Sequence, residues 1–252
     1  MFFTAAPVCA DNWRITPSIA LTETWTDNVF LTARNTKSDL VTGITPGIAI
    51  DGKGHRASLR LNYTFTEQLY SPNYANIERL TGQTSASNNH QNALNAVGKL
   101  EAIENWMFID ATGTISQQYL SAFGAVSPST ANVNRNQTET SNYSISPYIK
   151  GTLLSSTEYL VRYRAAITNT TASGVQSNQG DLTSSEWTGR LNGTTRWGAL
   201  GWALDASSLR NNYTVGRDYE DSKYQASLSY RFEPQFRVSA FAGQESNNYV
   251  SL

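Results

Sequence analysis

The stretch that decides the fold is Ala93-Leu94-Asn95-Ala96-Val97-Gly98-Lys99-Leu100-Glu101-Ala102-Ile103-Glu104-Asn105-Trp106-Met107-Phe108-Ile109-Asp110-Ala111-Thr112-Gly113-Thr114-Ile115-Ser116-Gln117-Gln118. Folded back at Glu104-Asn105, it sets Leu94, Ala96, Gly98, Leu100 and Ala102 opposite Ile115, Gly113, Ala111, Ile109 and Met107. The alternate positions pair Asn95 with Thr114, Val97 with Thr112, Lys99 with Asp110 and Glu101 with Phe108. Strand side chains alternate faces with period two, so a slip of one residue would scramble both sets. One face suits hydrocarbon and the other suits water, on strands longer than the usual ~5–6 residues. The stretch predicts a hairpin in a wall between lipid and water.

The pattern repeats on both sides of it. Trp13, Ile15, Pro17, Ile19 and Leu21 alternate with Arg14, Thr16, Ser18, Ala20 and Thr22, and Leu40, Ile44, Pro46, Ile48 and Ile50 share one face. Ala57, Leu59, Leu61, Tyr63, Phe65 and Leu69 alternate with Arg56, Ser58, Arg60, Asn62, Thr64, Thr66 and Gln68. A tight turn at Asp51-Gly52-Lys53-Gly54 pairs Ile48 with Ala57 and Ile44 with Leu61. Later strands carry Tyr143 to Ile149, Tyr159 to Ile167, and Trp187 to Trp197. Gly198-Ala199 joins the last of these to Leu200–Leu209, setting Gly193 against Leu204 and Leu191 against Ala206. Tyr224 to Phe232 pairs with Phe236 to Ala242 through Glu233 to Gln235, with Phe232 facing Phe236 and Tyr230 facing Val238.

About eleven strands result, joined alternately by short turns and by polar loops at residues 27–38, 71–90, 120–138, 169–183 and 211–218. A soluble β-sandwich also has one apolar face per strand but gives no reason for that alternation. An outer-membrane barrel does, with short periplasmic turns and long external loops. Aromatics gather near strand ends as an interfacial girdle would: Trp13, Trp106, Tyr159, Trp197, Trp202 and Phe232 by the turns, Trp25, Phe65 and Tyr70 toward the loops. The expected fold is all-β, an antiparallel transmembrane barrel over residues 11–252, located in the bacterial outer membrane.

Composition agrees. Charged residues are 15% of the 252, the net charge is −1 and mean hydropathy is −0.41. A nucleic-acid binder would carry a basic excess. No apolar run reaches the ~18 residues a spanning helix needs, which leaves strand-built membrane walls untouched. Residues 1–10 resemble the end of a secretory signal peptide, with Val8 and Ala10 as small residues before a cleavage site. Cleavage there would remove Cys9, the only cysteine, so neither a disulfide nor a thiolate metal site is expected. An odd strand count leaves two unpaired edges, so at least one further strand is expected beyond Leu252.

Several segments resemble the outer-membrane protein family associated with exosortase/PEP-CTERM systems. They are Thr22 to Val29, Ser38 to Thr42 with Thr45-Pro46-Gly47-Ile48, Glu104 to Ala111 running into Ile115 to Gln118, and Ser144-Ile145-Ser146-Pro147-Tyr148. The likeness covers roughly Trp13 to Arg164. It implies a β-barrel in bacteria that make exopolysaccharide and sort PEP-CTERM proteins to the surface. It brings no catalytic residues, and members of the family are longer than this chain.

Enzymatic chemistry finds little purchase. His55 lies beside a short turn and His90 at the end of a long loop, too far apart for a shared site, and His90 has no recognisable carboxylate or serine partner in sequence. Ligands for a metal are lacking, and no cofactor motif is present. The water-facing positions say more. By parity they hold Arg56, Arg60, Lys99, Lys150, Arg162, Arg164, Arg190, Arg196, Arg231 and Arg237, ten cations against the four anions Glu101, Asp110, Glu158 and Asp205. Barrel interiors ordinarily carry charge ladders, such as Lys99 opposite Asp110; an excess of this size would also bias a channel toward anions, including acidic polysaccharide. The expected function is a non-enzymatic channel or scaffold in exopolysaccharide export or PEP-CTERM sorting, with membrane lipid, polysaccharide and envelope export components as partners. The alternatives are a general porin for small anions and a barrel enzyme with a loop-borne site.

Overall fold

The structure is a computed structural model that describes residues 12–71, 88–127, 129–133, 136–153, 156–172, 181–195, 199–233 and 235–250. Residues 1–10, expected to be a signal-peptide remnant and including Cys9, lie outside the described residues, as do Arg196 and Trp197. Among the described residues there are eleven strands and no helix: β1 (Trp13–Thr26), β2 (Asp39–Lys53), β3 (Ala57–Leu69), β4 (Asn88–Ile103), β5 (Met107–Tyr119), β6 (Gln137–Leu153), β7 (Thr157–Ala172), β8 (Leu182–Thr194), β9 (Leu200–Tyr213), β10 (Asp218–Glu233) and β11 (Phe236–Val250). They form one sheet in sequence order, each strand antiparallel to the next. β1 and β11 run in the same direction and are not paired with each other, so the sheet is open between them.

The registers divide the side chains into two faces, A and B. On face A, Ile15, Pro17, Ile19 and Leu21 of β1 stand beside Ile50, Ile48, Pro46 and Ile44 of β2. Leu59, Leu61 and Tyr63 of β3 stand beside Gly98, Ala96 and Leu94 of β4, which in turn meet Ala111, Gly113 and Ile115 of β5. The row continues through Ile145 and Ala165, then Leu191, Leu204 and Ala226, to Ala242 on β11. These side chains stay uncovered: Ile19 and Leu21 are each 71% exposed and Trp187 57%. From Ala57 to Phe65 the band is about 27 Å along the strand, or about 20 Å in height at a ~40° tilt.

Beyond the band, face A turns polar toward the loop end. Glu23 lies beside Thr42, Glu67 beside His90, Gln117 beside Glu139, and Ser185 beside Arg210. At the turn end aromatics lie flat over glycines on the neighbouring strand. A Cβ on Gly52 would come within 2.1 Å of the Trp13 ring, and one on Gly151 within 2.7 Å of the Tyr159 hydroxyl oxygen. Only glycine leaves the rings that seat. Trp106 Nε1 donates to Tyr159 Oη at 2.9 Å, and Phe232 packs 4.6 Å from Tyr230 and 5.7 Å from Phe236.

Several turns differ from expectation. β2 continues through Asp51–Lys53, so the turn is residues 54–56 and Ile48 pairs with Tyr63 rather than Ala57. That shift of six residues is even, which leaves every side chain on its expected face. Likewise Gly193 pairs with Trp202 and Leu191 with Leu204, two residues from the expected register, because β8 ends at Thr194 and β9 begins at Leu200. Leu94 through Glu101 pair as expected, but Ala102 bulges and Ile103 meets Met107, with Asn105 at φ 55° in the turn. Asparagine tolerates that conformation better than most residues. Tyr230 pairs with Val238 as expected, whereas Phe232 is bulged and Glu233 meets Phe236. Strands also run further into the expected loops, so the β9–β10 connection is only residues 214–217.

Candidate functional site

Face B carries the charge. Arg60 Nε is 3.6 Å from Asp51 Oδ2, Arg190 Nε is 3.6 Å from Asp205 Oδ1, and Arg162 Nη1 donates to Asp110 Oδ2 at 3.2 Å. Lys99 is opposite Asp110 in register, as expected, yet the carboxylate bonds Arg162 from two strands away. Arg164 lies opposite Glu186, and Arg231 directly opposite Arg237. Arg56 departs from the expectation of an inward position. It sits in the 54–56 turn, where its Nε and Nη2 donate to the carbonyls of Glu101 and Ala102 at 3.1 and 2.9 Å. Arg196 lies outside the described residues.

Two cations rest on an aromatic pair. Phe108 and Tyr148 are opposite each other on β5 and β6 and stack at 5.2 Å and 18°. Lys150 Nζ lies 4.5 Å from the Phe108 ring centre and Arg162 Cζ 4.2 Å from that of Tyr148. Each such contact is worth about 0.5–1 kcal/mol at an exposed site. Phe108, Asp110 and Tyr148 also line a shallow groove of about 230 Å³ with Lys99, Glu101 and the 54–56 turn.

The registers put more charge on face B than parity alone assigned. Arg14, Lys53 and Lys223 join the cations, and Asp39, Asp51, Glu186, Asp221 and Glu245 join the carboxylates, so the described strands hold eleven against nine rather than ten against four. The distribution is uneven. In the turn half stand nine cations, from Arg14 to Arg237, and the five carboxylates Asp51, Glu101, Asp110, Glu158 and Asp205. Arg164 and Glu186 stand opposite each other at mid-strand. Near the loops stand Asp39, Asp221 and Glu245 with one cation, Lys223, whose Nζ lies 3.2 Å from Asp221 and 3.4 Å from Glu245. Face B is basic at the turn end and acidic at the loop end.

Sequence reasoning missed a docking of two loops over this face. Val29 in the β1–β2 loop, Val41 on face B of β2 and Ala131 in the β5–β6 loop are 1%, 0% and 2% exposed, and Phe30, Tyr70 and Val133 pack against them. Val133 N donates to Val29 O at 2.8 Å, and Asn132 Nδ2 to Asn28 O at 2.9 Å and Thr26 Oγ1 at 3.2 Å. Gln68 Nε2 on β3 donates to Thr130 Oγ1 at 3.2 Å. The β5–β6 loop thus lies across β3 and β2 on the B side. Tyr70, expected in a loop-side girdle, belongs to this cluster. No periodicity in residues 120–136 announces the contact, since partners about a hundred residues apart share no local pattern.

Above Leu94–Ile115 the β4–β5 ladder stops, and side chains close the seam. Glu139 Oε2 accepts from Asn92 N and Nδ2 at 3.1 Å each and from Gln117 Nε2 at 3.0 Å. His90 stacks on Phe65 at 6.4 Å and lies opposite Glu67. Among the described residues no group of three metal-ligating side chains occurs. No protein-family model, curated protein or solved structure matches the chain.

Proposed function

We propose that the chain builds the wall of an outer-membrane β-barrel, with face A toward lipid and face B lining a water-filled interior, and that it works as a conduit or scaffold rather than an enzyme. The observation that carries this reading is the apolar band, held in register from β1 to β11 on one face alone. Eleven strands at ~4.8 Å spacing and a band ~27 Å long along each strand give roughly 1,400 Å², against roughly 300–600 Å² for the largest patch on a typical soluble monomer. The aromatics at the turn end and the polar residues above the band match the two edges of a hydrocarbon slab. In hydrocarbon both sheet edges need partners for their backbone groups.

The resemblance of Thr22–Val29 and Glu104–Ala111 to exosortase/PEP-CTERM-associated proteins supplies a setting, export of exopolysaccharide or surface sorting. The basic turn half of face B suits an anionic polymer. A general porin for small anions is the alternative. Planar-bilayer recording of the full chain tests the reading: discrete channels preferring chloride over potassium are expected, and block by an acidic polysaccharide favours export over a general porin. Failure to insert, or a preference for potassium, would defeat the reading.

A further inference from the structure

At the turn end of β8–β11, face B carries a groove of about 270 Å³ in which Arg190, Arg231 and Arg237 converge with Asn192, Thr194 and Ser229. Arg231 and Arg237 are directly opposite in register. Directly opposed side chains have Cβ atoms about 4.5–5.5 Å apart, and like charges there repel. On this face Arg60, Arg162, Arg190 and Lys223 each have a carboxylate within 4.0 Å, and Lys150 has an aromatic ring. Arg14, Lys99 and Arg164 have none that near among the described residues but stand opposite Asp51, Asp110 and Glu186 in register, whereas Arg231 stands opposite another cation. Among the described residues no carboxylate lies within 4.0 Å of Arg231 or Arg237. Two guanidinium forks are therefore held together without a counter-charge, beside hydroxyls and an amide.

We propose that this groove binds an oxyanion, a carboxylate or phosphate group carried on a hydroxylated solute. Arg231 and Arg237 grip the anion, because the planar guanidinium matches carboxylate and phosphate oxygens two at a time. Thr194, Ser229 and Asn192 supply donors and acceptors for the solute's hydroxyls. Binding relieves the repulsion between the two arginines, so the anion takes the place of the missing carboxylate. The inference rests on face B being the water-filled surface proposed above.

Calorimetric titration of the full chain folded in detergent micelles tests it, with inorganic phosphate in one arm and glucuronate in the other. Binding in either arm is expected, and the arm that binds identifies the oxyanion as phosphate or sugar carboxylate. The double variant Arg231→Gln with Arg237→Gln should weaken it about tenfold or more, the loss of charge-assisted hydrogen bonds. Arg60→Gln, on the far side of the sheet, should leave it unchanged. The paired substitution Arg231→Lys with Arg237→Lys keeps the charge without the fork and should bind more weakly than the unmodified protein. Absence of binding in both arms, or equal affinity in the double glutamine variant with its strand signal in circular dichroism intact, would overturn the proposal. Titration in micelles needs no bilayer, so a chain that inserts in liposomes but binds neither anion loses this site and keeps its proposed wall.

Discussion

The two halves of the sheet share the pattern of face A and differ on face B. From β1 to β6 the loop-side connections run over residues 27–38, 70–87 and 120–136, and two of them fold onto face B and bury Val29, Val41 and Ala131. From β7 to β11 the connections are 173–181 and 214–217, and among the described residues the hydrophobic cluster has no member there. The charges differ too. Asp51 and Phe108 engage Arg60 and Lys150 of the first half, and Asp110 and Tyr148 reach across to Arg162 of β7. The second half holds its own pairs at Arg190–Asp205 and Lys223–Asp221, yet there Arg231 and Arg237 face each other. Face A makes no such distinction: Leu61 and Leu204 occupy equivalent places in one continuous band. Face A carries one pattern along its whole width, whereas face B is covered locally by whichever loops and counter-charges lie nearby.

That contrast can be broken by substitution. If the outer band meets hydrocarbon in both halves, Leu61→Arg and Leu204→Arg should each cost about 2–4 kcal/mol near the midplane, and Asn62→Arg and Ser207→Arg on face B close to nothing. Urea titration of liposome-folded protein reads the difference. A large cost in one half alone would confine the membrane wall to that half.

A smaller effect separates the inner faces. Val41→Ala removes two buried carbons from the loop cluster and should cost about 1.5 kcal/mol. Leu209→Ala, on face B of β9, should cost less, since Leu209 is only half-buried and gives up less surface than Val41. Equal losses in the same titration would mean that the β7–β11 interior is as well filled as the β1–β6 interior.

The face of every strand was legible because a period-two pattern survives any even shift. Ile48 changes partner by six residues and Leu191 by two, and neither changes side. Turn positions were less legible: Asp51-Gly52-Lys53-Gly54 reads as a turn, yet Gly52 is strand and serves as the floor for Trp13. The bulges at Ala102 and Phe232 depend on turn geometry that residue type alone leaves open. For the charges, parity found Arg162, Arg190 and their partners. It misses Asp39 and Asp51, which sit where the sequence reads as loop and turn but the strands continue, and Glu186 near the start of β8, so the basic excess inferred from parity is too large. The loop docking was beyond reach, because Val133 meets Val29 through folding of two aperiodic segments.

The central claim is that face A meets lipid while face B meets water. Single cysteines placed from Ala57 to Phe65 on a Cys9→Ser background, each carrying a nitroxide, test it in liposomes by relaxation with oxygen and with a water-soluble nickel chelate. The account predicts alternation: oxygen dominates at Ala57, Leu59, Leu61, Tyr63 and Phe65, and nickel at Ser58, Arg60, Asn62 and Thr64. Nickel reaching both sets alike would contradict it.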